Sequence, residues 1–94
     1  MRLTVAAIDA ALTDLRPEWR SDGIALFLRV ERPDFASALQ LVNDVGRIAE
    51  AQGHHPDVTF GWGYCTFRLT THSLGGLTAK DLQLAAAIDA TLGL

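Results

Sequence analysis

From Tyr64 to His72 the side chains alternate in character. Cys65, Phe67 and Leu69 interleave with Tyr64, Thr66, Arg68, Thr70 and His72. A strand turns successive side chains to opposite faces, so this run predicts one packed face and one face toward solvent or a cleft. The packed face of such a sheet needs amphipathic helices against it, which restricts the chain to a layered design. Val58–Trp62 is a second extended run, and Gly61 and Gly63 bracket Trp62 as a tight bend. Upstream, Glu18–Arg20 and Ile24–Glu31 flank Ser21-Asp22-Gly23, a hairpin turning at Asp-Gly. In its second strand Ile24, Leu26, Leu28 and Val30 share one face, and Ala25, Phe27 and Arg29 the other.

Three segments carry helical spacing. Thr4–Leu15 is capped by Thr4, presents Val5, Ile8, Leu12 and Leu15, and stops at Arg16-Pro17. Asp34 to Gln52 shows a stripe of Phe35, Leu39, Val42, Val45 and Ala49, and Gly53 ends it. Thr78 caps a last helix reaching about Leu92, with Thr78-x-x-Asp81 as a variant capping box. The expected fold is α+β, in the order α-β-β-α-β-β-α. A four-stranded antiparallel sheet carries three helices on one face, in a single domain over residues 1–94.

The formal net charge is −3, and the eight Lys and Arg residues are scattered, so no basic stripe is present to meet a phosphate backbone. Direct nucleic-acid binding is therefore not expected. The one cysteine, Cys65, excludes an internal disulfide and a thiolate metal cluster, and its place on the apolar face predicts a buried, inert thiol. The first residues do not form a signal peptide, and no apolar run approaches the roughly 20 residues needed to span a bilayer. The expectation is a cytoplasmic protein without a membrane partner. A small chain with open sheet edges also predicts a homodimer or homotetramer.

The histidines gather in one half of the chain. His54 and His55 follow the second helix, and His72 ends the last strand, with a hairpin between them that brings its two ends together. Glu50 precedes His54 by about one helical turn, and Asp81 opens the third helix. Imidazoles and carboxylates converging on a cleft suit proton transfer near neutral pH.

The run Glu50-x3-His54-His55-Pro56-x5-Trp62-x9-His72-x8-Asp81 resembles the signature of the pterin-4a-carbinolamine dehydratases. Leu69-Thr70-Thr71-His72, Gly75-Gly76-Leu77-Thr78 and Lys80-Asp81 are also similar to that family, and Trp19 and Asp34-Phe35 fit its first half more loosely. The resemblance covers nearly the whole chain. It implies dehydration of 4a-hydroxytetrahydrobiopterin to the quinonoid dihydropterin, with the pterin as substrate and no cofactor or metal. Carried over by position, it implies His54 and His72 as acid–base residues and His55 as the main hold on the pterin. Pro56 would fix the turn that aims the histidine pair. Glu50 and Asp81 would orient or charge-balance the imidazoles or bond the pterin, and Glu50, Pro56, Trp62 and Thr71 would make up the substrate-binding set. The sequence departs from the family at Val58, where an aromatic residue is common, and at Trp62, where tyrosine is common.

Plainer readings stand beside these. The His54–His55 pair could simply complement the negative end of a helix dipole. Asp81 has a structural role as a cap whatever its chemical one, and Glu50 could be an ordinary exposed helix residue. At the level of function, relatives of this kind also serve as dimerisation cofactors or assembly factors. A protein-binding module with a secondary pterin site, or a pterin-handling role in molybdenum-cofactor metabolism, is therefore the alternative.

Overall fold

A computed structural model describes residues 1–93. In chain order the elements are α1 (Val5–Leu12), β1 (Arg20–Ser21), β2 (Leu26–Glu31), α2 (Phe35–Gln52), β3 (Asp57–Gly61), β4 (Tyr64–Leu69), a 3₁₀ turn (His72–Leu74) and α3 (Ala79–Thr91). The four strands form one antiparallel sheet in the order β1-β2-β4-β3. The expected α+β class and element order are both present.

The alternation read in β4 sets the layers. Register pairs Leu26 with Leu69, Leu28 with Phe67 and Val30 with Cys65, so six inward side chains form a continuous sheet face. All six are buried, and Ile8, Ala38, Leu41, Val45, Ala49, Leu84, Ala85 and Ile88 from the helices cover them. Burying each large aliphatic or aromatic side chain contributes about 1.5–3 kcal/mol, which makes this layer the main source of stability. The other sheet face, with Phe27, Arg29, Thr66 and Arg68, is left to solvent.

Caps at the helix starts match the sequence. Thr4 Oγ1 accepts from Ala7 N, Asp34 Oδ1 from Ser37 N, and Thr78 and Asp81 form a reciprocal capping box. Gly53 closes α2 at φ 64°, a left-handed conformation that favours glycine.

Several element boundaries and the buried face of α2 differ from expectation, among them β1, which is Arg20–Ser21, and β3, which is Asp57–Gly61. Helix α1 ends at Leu12, because the chain turns at Thr13–Leu15 before reaching proline. Strand β2 begins at Leu26 rather than Ile24. The Asp22 carboxylate accepts the N–H groups of both Ile24 and Ala25, which bends the backbone there, exposes Ile24 and buries Ala25. In α2 the buried stripe is Ala38, Leu41, Val45 and Ala49, while Phe35 and Leu39 remain exposed. Phe35 instead meets Phe60 of the edge strand β3, with ring centroids 5.5 Å apart. Finally, β4 stops at Leu69, opposite Leu26, where its antiparallel partner β2 begins. Thr71 bridges to Gly76, and His72 starts a 3₁₀ turn instead of ending a strand.

Candidate active site

Three chain segments converge at the end of the sheet where β4 leaves it. Gly53 directs the chain out of α2 and places His54 and His55 in the loop before β3. The 3₁₀ turn after β4 supplies His72, and the first turn of α3 supplies Lys80 and Asp81. A hollow of about 300 Å³ lies between them, lined by His54, His55, His72, Thr70, Thr71 and Lys80 among others.

Each imidazole faces its own carboxylate through Nε2. His54 Nε2 is 2.6 Å from Asp81 Oδ1, His55 Nε2 is 2.9 Å from Glu50 Oε1, and His72 Nε2 is 3.8 Å from Asp57 Oδ2. The three pairs differ in environment. The His54 side chain is 12% exposed and that of Asp81 is 0%, whereas His55 and His72 are 58% and 71% exposed. Exposed pairs of this kind contribute little to stability, about 0–1 kcal/mol each. The buried carboxylate of the first pair must have its remaining oxygen satisfied, and it does. Asp81 Oδ2 accepts from Thr71 Oγ1 at 2.8 Å and from Thr78 N at 2.9 Å. The cap at the start of α3 and the partner of His54 are therefore one carboxylate.

The residues singled out in the sequence fall into three groups. His54, His55, His72 and Thr71 line the hollow, and Asp81 lies directly behind His54. Thr71 spends its hydroxyl on Asp81 and Thr78. Glu50 and Pro56 border a neighbouring, more apolar groove of about 600 Å³ that shares His55 with the hollow and continues past Val42 and Val58. Trp62 is not brought to the site. It sits 72% exposed at the β3–β4 turn, the length of a five-residue strand, about 17 Å, from Pro56.

Two contributors were missed. Asp57 faces His72 and also lies 3.5 Å from Arg68, its register partner across the sheet, and Lys80 lines the hollow beside His54. Lys80 was visible as a neighbour of Asp81, but nothing in the spacing marks Asp57, because its contact with His72 depends on the 3₁₀ turn. Cys65 is fully buried, its thiol is held above the usual range by that burial, and its Sγ donates to Ala38 O at 3.2 Å. It takes no part in the hollow.

The class is that of a three-helix, four-stranded α+β domain with three histidines around one hollow, each histidine facing a carboxylate. The pterin 4 alpha carbinolamine dehydratase family model matches residues 1–91. The chain belongs to that family. It is 46% identical over 91 residues to a Mycolicibacterium vanbaalenii protein, covering 97% of each, and 45% identical over 82 residues to one from Nocardia farcinica, covering 87% of this chain and 85% of the relative. Both are named provisionally as pterin-4-alpha-carbinolamine dehydratases. A Brucella melitensis crystal structure described as a transcriptional coactivator/pterin dehydratase superposes with a TM-score of 0.90 at 29% identity, covering 99% of this chain and 100% of that one. A pterin dehydratase-like protein described as a RuBisCO assembly factor shares the fold at a TM-score of 0.64 and 24% identity, over 80% of this chain and 87% of its own. Among the described residues no helix is long and apolar enough to cross a membrane.

Proposed function

We propose that this chain dehydrates 4a-hydroxytetrahydrobiopterin, or a closely related 4a-hydroxytetrahydropterin, to the quinonoid dihydropterin, in the recycling of tetrahydrobiopterin. The observation that carries this reading is the meeting of His54, His55 and His72 on a single hollow. Two of them come from the α2–β3 loop and the third from the far side of a hairpin.

The reaction is an elimination across C4a and N5. The C4a–O bond breaks as the departing hydroxyl takes a proton from an imidazolium and leaves as water. N5 gives its proton to a neutral imidazole, and a C4a–N5 double bond forms. Two imidazoles in opposite protonation states are therefore needed, and solvent restores them between turnovers. His54 and His72 serve as this pair, and His55 holds the ring. Asp81, Glu50 and Asp57 each orient one imidazole. Pro56 fixes the direction of the loop, while Trp62 lies too far along the hairpin to share in this step. Mixing purified protein with freshly generated 4a-hydroxy pterin and following absorbance tests the reading. Dehydration no faster than in buffer would refute it.

A second reading concerns association. Phe35, Leu39 and Val58 are exposed along α2 and the edge strand β3, and open sheet edges favour pairing. This supports a homodimer or homotetramer, and it leaves room for a role in binding another protein; the Brucella neighbour is described as a transcriptional coactivator as well as a pterin dehydratase. Light scattering across a concentration series reads the oligomeric state, and a monomer throughout would remove the homo-oligomer.

A further inference from the structure

We infer that Thr71 and Thr78 are positioning residues. Through two linked hydroxyls they hold the Asp81 carboxylate in one orientation. That locks His54 in the tautomer with its proton on Nε2 and leaves Nδ1 to exchange protons with the hollow. The inference rests on the acid–base reading of His54 given above.

Hydrogen accounting around Asp81 leaves one arrangement. A carboxylate only accepts, so Thr71 Oγ1, Thr78 N and His54 Nε2 must all donate to it. A threonine hydroxyl has one hydrogen, and that of Thr71 goes to Oδ2. The 2.7 Å contact between the Thr71 and Thr78 hydroxyls therefore runs on the hydrogen of Thr78. Thr78 Oγ1 in turn accepts from Lys80 N at 3.3 Å. Every hydrogen in this buried chain has one place, and the order ends at the imidazole.

The other ring nitrogen follows by elimination. His54 Nδ1 makes no hydrogen bond among the described residues, and among them no buried side-chain nitrogen or oxygen lacks a partner. Nδ1 is therefore open to solvent, and the ring lines the hollow. A carboxylate held on one side of a histidine fixes the tautomer and presents the opposite nitrogen as the base. The other charged and titratable groups beside His54 are Lys80 on α3, His55 on the same loop and His72 on the 3₁₀ turn. None of them hydrogen-bonds to its ring.

The test uses ¹⁵N-labelled full-length protein without pterin, at a pH where the imidazole is neutral. Long-range proton–nitrogen spectra report which His54 nitrogen carries the proton. The wild-type protein and Thr71→Ser are expected to show the Nε2–H form alone, and Thr71→Val a mixture of the two. In turnover assays Thr71→Val should lose about tenfold in kcat with KM unchanged, and Thr71→Ser should recover it. A wild-type proton on Nδ1, or an unchanged tautomer in Thr71→Val, overturns the inference. If Thr71→Val does not fold, the wild-type hydroxyl proton of Thr71 decides. Protection from exchange is expected, and free exchange with solvent refutes the linked pair. A protein without dehydratase activity that still shows the locked tautomer refutes the activity and not the positioning.

Discussion

His54 Nε2 stands 2.6 Å from Oδ1 of Asp81, a fully buried carboxylate that also caps the first turn of α3. Its removal should therefore be felt in both stability and turnover. Asp81→Asn replaces one accepting oxygen with an NH₂ donor, which then faces either His54 Nε2 or both the Thr71 hydroxyl and the Thr78 N–H. The expected cost is about 2–4 kcal/mol of stability, read by urea unfolding. Turnover at a temperature where the variant stays folded should fall by about 10²-fold or more, because His54 loses its fixed tautomer. Wild-type stability with wild-type turnover would contradict the shared role.

The three histidines should separate in kinetics while leaving the fold intact for the exposed two. His54→Ala and His72→Ala should each lower kcat by about 10²-fold or more, and together nearly abolish it. His55→Ala should act mainly on KM, since that ring borders both the hollow and the adjoining groove. Thermal unfolding of His55→Ala and His72→Ala should match the wild type, because their side chains are 58% and 71% exposed. A full-rate double variant would exclude the acid–base assignment.

Acid sensitivity should concentrate at two exposed aspartates. Hydrogen bonds from Ser37 hold Asp34 below its ordinary 3.8, and backbone N–H groups of Ala25 and Ile24 do the same for Asp22. A carboxyl lowered in the folded state stabilises fully above its unfolded value, and that contribution is lost as pH falls through the folded value. Stability should thus decline from about pH 5 downward, and Asp34→Asn, which keeps an accepting cap oxygen, should flatten part of that decline. Denaturant midpoints measured across this range check it. Identical slopes for both proteins would exclude a contribution from the cap.

Asp89 offers a control remote from the hollow. Its carboxylate accepts from Trp19 Nε1 and Arg16 N, each at 2.9 Å, and so ties the segment before β1 to the end of α3. Asp89→Ala strands both donors and should cost about 2–3 kcal/mol in urea unfolding. Turnover per folded molecule should be unchanged, in contrast to Asp81→Asn. A matching loss of turnover in both variants would mean that Asp81 acts only through stability.

Much of the architecture was legible because its signals are local. Period-two alternation in β4, the caps at Thr4, Asp34 and Thr78, and Gly53 after α2 all act within a few residues of themselves. Element order and layer followed from them. The boundaries that shifted depend on partners distant in sequence. Ile24 leaves the sheet because of the Asp22 turn, and β4 stops opposite the point where β2 begins. Phe35 and Leu39 occupy helical positions as good as those of Ala38 and Leu41. Only the way α2 docks on the sheet decided which pair was covered.

The chain alone determined which chemistry was present: three histidines, two acidic neighbours at helix ends, and no basic stripe. Spacing along a chain does not give distances in space, so folding decided how these groups were paired. It buried His54 with Asp81, left His72 exposed beside Asp57, turned the Thr71 hydroxyl toward a carboxylate, and held Trp62 at the far end of a hairpin. Each outcome follows from strand register and from the exit geometry of α2 and β4, which are long-range packing results that no local pattern encodes.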